Sequence, residues 1–457
     1  MPVLGQPDVH ETDRSGVDID ADVIVVGAGA AGLAAARSLA AHSLRVTVLE
    51  ARDRVGGRVW WVPSARTAVP AELGAEFIHG RAQESMALLK DAGSAAIDTG
   101  GESWTCGEDG VLRLDESGFV SATNILAEAR NLAGDESVDR YLRRFQRDES
   151  LRDTVAAARA FVEGFEAADP AIASVRSIAD EVRSGVDYAS SRPISGYRPI
   201  FERLCDDCAG AGVQIALSTA VKRVSWRPGA VDVTAMGPLG TAQTIRARAV
   251  LVTLPAGVLR HRDDDTAVLF EPGLPAAKRE ALAKIEMGHV VRVVLWFRTA
   301  FWERICEGRY CGAAFFRCPT QPFAGYWTQV PVRSEMIVAW AGGPKAAALS
   351  GYSHEELIVR ALAGFGALLG EPELAHREFE AGVTHDWGRD PFARGAYSYV
   401  RVGGGNARAE LATPVDDTLF FAGEATSDDG QGGTVNGALQ TGERAASEVA
   451  TALGTSG

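Results

Sequence analysis

The stretch Ala21–Arg58, ADVIVVGAGAAGLAAARSLAAHSLRVTVLEARDRVGGR, decides the fold. Val23–Val26 is a continuous apolar run, as expected of a strand buried on both faces. Gly27, Gly29 and Gly32 follow as G-x-G-x-x-G. The first glycine permits a tight turn, the second lets backbone approach a pyrophosphate, and the third lets helix and strand pack closely. Ala30–Ala41, which includes Ala31, is rich in strong helix formers. Its N-terminus presents free N–H groups and partial positive charge to phosphate oxygens. Arg45–Leu49 reads as a second strand ending in Glu50, where a carboxylate can accept hydrogen bonds from ribose hydroxyls. Strand, glycines, helix, strand and terminal acid in this order make a dinucleotide site.

The continuation E-A-R-D-R-V-G-G-R narrows the dinucleotide. It carries Ala51, Arg52, Gly57 and Arg58. Two glycines beside arginines suit a second loop over the pyrophosphate, with Arg58 as a charge-assisted donor. A nicotinamide site does not usually need that loop. FAD, wrapped along its length, does.

The chain has 457 residues, enough for two or three domains. Its formal charge of −14 argues against nucleic acid and anionic membrane as partners. Residues 1–20 carry five acids and one arginine and read as a disordered tail, not a signal peptide. No run reaches the roughly 18 apolar residues of a membrane span. Six cysteines in this length do not suggest a disulfide framework, so a cytoplasmic location is expected. Cys205-x-x-Cys208 sits in a helical setting without a second such pair or a histidine pair, and no metal site is expected.

The cofactor-type segments are not contiguous. We expect an α/β protein, α+β overall. A Rossmann-like FAD-binding domain comes from 21–80, 196–270 and 384–457. A substrate-binding domain of mixed sheet and helices comes from 81–195 and 271–383. Near the C-terminus, LFFAGEATSDDGQGGTVNGALQTGERAASEVA reads as strand, polar loop and long helix. Gly423 permits close backbone approach, Glu424 stands where a sugar hydroxyl can bind, and Gly433, Thr434 and Val435 open the helix. Positive potential there would stabilise reduced flavin, which carries negative charge at its N1–O2 edge.

Together with the N-terminal block, these residues resemble the flavin-containing amine oxidases: monoamine oxidases, polyamine and spermine oxidases, and lysine-specific histone demethylases. The resemblance covers most of the chain and implies further site residues. AELGAEFIHG resembles the segment running beside the flavin, with Gly74 and Ala75 at the ring or ribityl chain and Glu76 next to them. His79 sits where animal spermine and polyamine oxidases place a histidine facing the substrate. Val221 resembles the valine whose backbone binds adenine. Thr253–Pro255 resembles the loop beside the pyrophosphate, and Trp387 the tryptophan packed on the flavin. Tyr397 matches one wall of an aromatic cage, and Thr434 occupies the other.

Two positions depart from the family pattern. Ala396 replaces the cysteine that attaches flavin in monoamine oxidases, so non-covalent FAD is expected. Arg292 replaces a lysine linked through water to flavin N5. Arginine keeps a positive charge but is larger, planar and effectively never deprotonated. The implied function is oxidation of an amine carbon–nitrogen bond to an imine, with oxygen reoxidising the flavin to give hydrogen peroxide. The implied partners are a small amine, molecular oxygen and a second copy of the chain in a homodimer. The alternatives are an amino-acid or natural-product amine or amide oxidase, and a flavoprotein that has lost oxidase activity and serves as a binding subunit.

Overall fold

The structure is a computed structural model. It describes residues 19–63, 67, 69–107, 109–115, 118–183 and 190–455. Most of the expected tail, residues 1–18, lies outside the described residues.

The opening segment forms β1 (Val23–Val26), α1 (Ala30–Ala41) and β2 (Val46–Leu49). β3 (Gln214–Ala216), β4 (Ala249–Val252) and β5 (Leu419–Phe421) complete one parallel sheet. Its order is β3-β2-β1-β4-β5. All four residues of β1 and of β4 are buried, as central parallel strands require. α2 (Val435–Ala452) packs on α1. A Cβ at Gly442 would stand 2.3 Å from the Ala31 carbonyl oxygen, so the two helices touch through their backbones. The sheet is thus assembled from strands almost 400 residues apart in the chain.

A seven-stranded sheet forms the second layer system. Its long strand Val290–Phe297, VVRVVLWF, is buried throughout. Alternation along it sorts the residues. Val291, Val293 and Leu295 pack with Phe365 of the helix His354–Leu369. Val294 and Trp296 join Leu73, Trp327 and Val338 on the opposite side. Arg292 shares the parity of Val294, so the strand places a guanidinium among apolar neighbours. The strand Phe379–Asp386 of this sheet runs across the domain boundary expected at 383/384.

Residues 137–165, apolar at helical spacing, do not form one helix: they break into Val138–Leu142, two short 3-10 turns and Arg152–Gly164. Asp148 explains one break: its side chain accepts from the Ser150 backbone N–H, an interaction that competes with helix continuation. A short antiparallel sheet pairs Ile78–His79 with Ser190–Pro193, bringing His79 opposite Ser190. No helix among the described residues is long and apolar enough to cross a membrane.

Candidate active site

The glycine turn is built as its spacing predicts. Gly27 has φ +110°, and a Cβ there would meet Thr253 Oγ1 at 2.7 Å. Thr253 Oγ1 donates to the Val26 carbonyl (2.8 Å), locking the turn against β4. A Cβ on Gly32 would lie 1.9 Å from the Gly27 carbonyl oxygen. A Cβ on Gly29 would meet nothing within 4 Å, so this backbone opens into space at the α1 N-terminus. Glu50 is buried at the end of β2 and accepts from the Ala28 N–H (2.8 Å) and the Arg52 N–H (2.9 Å). This open cradle at a helix N-terminus, with an acid held at its edge, fits the pyrophosphate and ribose of FAD.

The second loop is held by arginines. Arg52 donates to Asp390 (2.6 Å), which also bonds His385 (2.9 Å). Arg58 donates to the Ala396 carbonyl (2.8 Å) and to Glu424 Oε1 (2.7 Å). The other oxygen of Glu424 accepts from Ser398 Oγ (2.6 Å) and the Gly433 N–H (3.1 Å). Burial alone would raise the Glu424 pKa, but Arg58 and Arg408 hold it below the usual carboxylate value. Arg58 and Glu424, expected as separate cofactor contacts, are therefore partners that tie the N-terminal loop to the C-terminal one. Trp387 donates its indole N–H to the Leu73 carbonyl (2.8 Å), and Gly74 leaves room beside it. Thr434 caps α2: its Oγ1 accepts from the Gly437 N–H (2.9 Å) and donates to the Gln431 carbonyl (2.8 Å).

A continuous cavity of about 1580 Å³ runs from these loops into the space between the two layer systems. Gly27, Gly29, Ala31, Ala51, Gly57, Ala75, Val221, Thr253, Pro255, Trp387, Gly423, Gly433 and Val435 line it, as do His79, Arg292 and Tyr397. Gly32 does not, because its role is packing. The volume exceeds the roughly 300–1,000 Å³ of common small-ligand pockets, leaving room for a dinucleotide and a second molecule.

Arg292 is almost fully buried and faces an anion rather than solvent. Its guanidinium donates to the Gly74 carbonyl (3.0 Å), pairs with Glu76 and lies 5.3 Å from the Trp327 ring centroid. Its Nε has no hydrogen-bond partner among the described residues. Glu76 also accepts from Arg192 (2.7 Å), Trp327 and Gln329. Burial would raise its pKa, but Arg292 and Arg192 pull it below the usual value. One carboxylate between two buried guanidiniums leaves a net positive centre beside Gly74 and Ala75. Sequence reasoning missed Arg192: its SSRP setting carries no motif, and only the pairing of its strand with Ile78–His79 aims it at Glu76.

On the other side lies an aromatic chamber. Tyr397 donates its hydroxyl to the Phe165 carbonyl (2.6 Å), and Trp340 donates to the Gly164 carbonyl (2.9 Å). Phe165 meets His79 edge-on at 5.1 Å between ring centroids. His79 Nδ1 bonds Ser190 Oγ (2.9 Å), and desolvation lowers its pKa to about 4, so the ring is neutral at ordinary pH. Phe165 and Glu166 were also missed, because the helical run ending VEGF gives no sign that its last turn faces a cavity. Cys205 and Cys208 lie on the helix Arg198–Gly210 as free thiols, far from this chemistry in role.

Comparison with known proteins agrees with this geometry. The flavin containing amine oxidoreductase family matches residues 30–103 and 119–450. Lysine-specific histone demethylase 1 homolog 2 of Oryza sativa subsp. japonica is 29% identical over 94% of this chain and 57% of its own length. Lysine-specific histone demethylase 2 of Homo sapiens is 27% identical over 94% and 53%. The chain thus spans about half the length of these relatives. Polyamine oxidase 4 of Oryza sativa subsp. japonica is 29% identical, over 93% of this chain and 88% of its own. Among solved structures, wild-type putrescine oxidase bound to putrescine superposes with a TM-score of 0.77 at 22% identity, covering 94% and 99% of the two chains. Cyclohexylamine oxidase from Brevibacterium oxydans IH-35A gives a TM-score of 0.78 at 21% identity, covering 95% and 100%. These two likenesses concern the fold, whereas the family match runs from the start of α1 through the arginine loop, the C-terminal loop and both walls of the chamber. The chain belongs to the flavin containing amine oxidoreductase family.

Proposed function

We propose that this chain oxidises a carbon–nitrogen bond of a small amine to an imine, with non-covalent FAD as electron acceptor and molecular oxygen as final acceptor, giving hydrogen peroxide. The observation that carries this reading is the single cavity joining an open glycine cradle to an aromatic chamber. When bound, FAD supplies the two-electron acceptor, and the protein supplies orientation and electrostatics. The Gly29 backbone and the α1 N-terminus would hold the pyrophosphate, Glu50 the ribose, and Val221 the adenine. Gly74, Ala75, Trp387 and Thr434 frame the ring. The hydroxyl bond of Tyr397 fixes its ring as one wall for the amine, and neutral His79 faces it without repelling a cation. The polyamine oxidase and demethylase relatives bear names of enzymes that act on amines, which supports the substrate class.

A second reading, an amine that also carries a carboxylate, is favoured by one residue. Arg317 lines the cavity 5.4 Å from the Phe315 centroid, and its side chain makes no hydrogen bond or ion pair with the described residues. Assaying peroxide production over amines, polyamines and amino acids separates the two readings.

Arg292 sets the oxidative half of the cycle in this account. Held by Glu76 and Gly74, its guanidinium is a fixed cation that cannot shuttle protons. Arg292→Lys should speed reoxidation of the reduced enzyme by oxygen about tenfold, ~1.4 kcal/mol of barrier. Stopped-flow mixing with oxygenated buffer checks this, and an unchanged rate would remove Arg292 from the oxidative step.

A further inference from the structure

An alkylamine near neutral pH arrives as an ammonium, since a primary amine such as that of lysine titrates near ~10.4. It must lose that proton before its nitrogen lone pair can assist oxidation of the neighbouring carbon. Most cavity groups are unsuited to take the proton. Arg292 stays protonated. Glu76 is committed to two arginines. His79 is a weak base, with its pKa lowered to about 4 by desolvation. The Tyr397 hydroxyl is bonded to the Phe165 carbonyl, and burial pushes its pKa upward. Glu163 pairs with Lys345 (3.2 Å) and Arg159 (3.6 Å). Asp115 accepts from Thr105 (2.9 Å) and the Gly118 N–H (2.7 Å). Glu181 faces Arg408 at 3.5 Å.

Glu166 is different. It lines the cavity half-buried and makes no side-chain hydrogen bond or ion pair with the described residues, whereas Asp98 and Asp153, which line the cavity likewise unpaired among the described residues, are exposed to solvent. Its place is fixed by its neighbours. The Phe165 carbonyl, one residue earlier, holds the Tyr397 hydroxyl, and its own N–H donates to the Phe161 carbonyl (3.2 Å). A carboxyl group with no partner among the described residues therefore stands beside the aromatic wall, close enough to Tyr397 to raise its pKa further.

We propose that Glu166 is the base that removes the proton from the bound substrate's ammonium. The inference rests on the amine-oxidising reading above. In this step one N–H bond breaks, one O–H bond forms on the carboxylate, and the amine is left neutral. No electrons leave the substrate, and the proton passes to water after the product departs. Burial raises the Glu166 pKa to about 8, with Glu181 adding to the shift and Arg408 opposing it. In the free protein the group is therefore largely protonated below about pH 8, and a bound ammonium favours the ionised form that accepts its proton, so the step near 8 is read at limiting amine.

The test compares the wild type and Glu166→Gln in anaerobic flavin reduction with two amines. One is a primary alkylamine; the other is a fluorinated amine already neutral at the assay pH. The variant should slow the alkylamine about 10²–10⁴-fold and lose the pH step near 8. It should leave the fluorinated amine little changed. Calorimetry gives a second readout independent of turnover. A quaternary ammonium binding at pH 7 should expel a proton into buffer from the wild type, and none from the variant. Glu166→Asp, which keeps the carboxylate, should restore the alkylamine in part and covers a folding failure of the first variant. Equal slowing of both amines, or an unmoved pH step, overturns the assignment of Glu166 alone. If neither amine reduces the wild-type flavin, the amine-oxidising reading falls with it.

Discussion

Replacing Glu76 with alanine should destabilise the protein by about 3–5 kcal/mol, read as a large drop in its thermal midpoint. The reason lies in what remains. Glu76 is buried between Arg192 and Arg292, which are themselves buried, and also accepts from the Trp327 indole. Removing it leaves two uncompensated guanidiniums in a site walled by Val294, Trp296 and Leu73. Removing the charge on both sides should cost less than removing one. The double variant Glu76→Ala/Arg292→Met should therefore be more stable than Glu76→Ala. A single variant that melts like its parent would show that the two arginines find solvent or other partners, and would move the positive centre away from Gly74.

The second large effect separates cofactor binding from folding. Gly29 and Gly32 are three residues apart in one motif, yet their surroundings are opposite. A side chain at Gly32 must displace the Gly27 carbonyl, only 1.9 Å from its Cβ position. Gly32→Ala should disrupt the β1–α1 junction and yield little folded protein. Gly29 has φ −79° and open space where its Cβ would be. Gly29→Val should fold as the parent does, yet bind FAD at least about 100-fold more weakly, ~2.8 kcal/mol. Thermal melts of the flavin-free protein and titration with FAD measure the two effects separately. Equal FAD affinity in Gly29→Val would contradict the placement of the pyrophosphate. Acid treatment of the parent holoprotein should also release its flavin, because Ala396 offers no sulfur for attachment.

Much of this was legible in the chain because it depends on local backbone. The β1–α1–β2 unit follows from spacing and glycine, and the helix His354–Leu369 from its capping residues. Ser353 and Glu356 form a reciprocal cap on that helix. The glycines of the cofactor loops act locally too: a Cβ at Gly27, Gly32 or Gly74 would collide, and one at Gly29 would point into open space. The substrate side was less legible. Its residues meet only through long-range pairing. Arg192 reaches Glu76 because Ser190–Pro193 pairs with Ile78–His79. Glu166 reaches the cavity because Tyr397 and Trp340, more than 170 residues away, bond the carbonyls just before it. The ion pair between Arg58 and Glu424 spans 366 positions and could not be read from either loop alone.

The central claim is that electrons pass from an amine to a flavin held in this cavity. Anaerobic mixing of the FAD-loaded protein with alkylamines, polyamines and amino acids tests it most directly. At least one amine class should bleach the visible flavin band, and admitting oxygen should restore it with release of peroxide. A flavin that stays yellow with every member of the panel would contradict the claim, and would favour a flavoprotein that binds without oxidising.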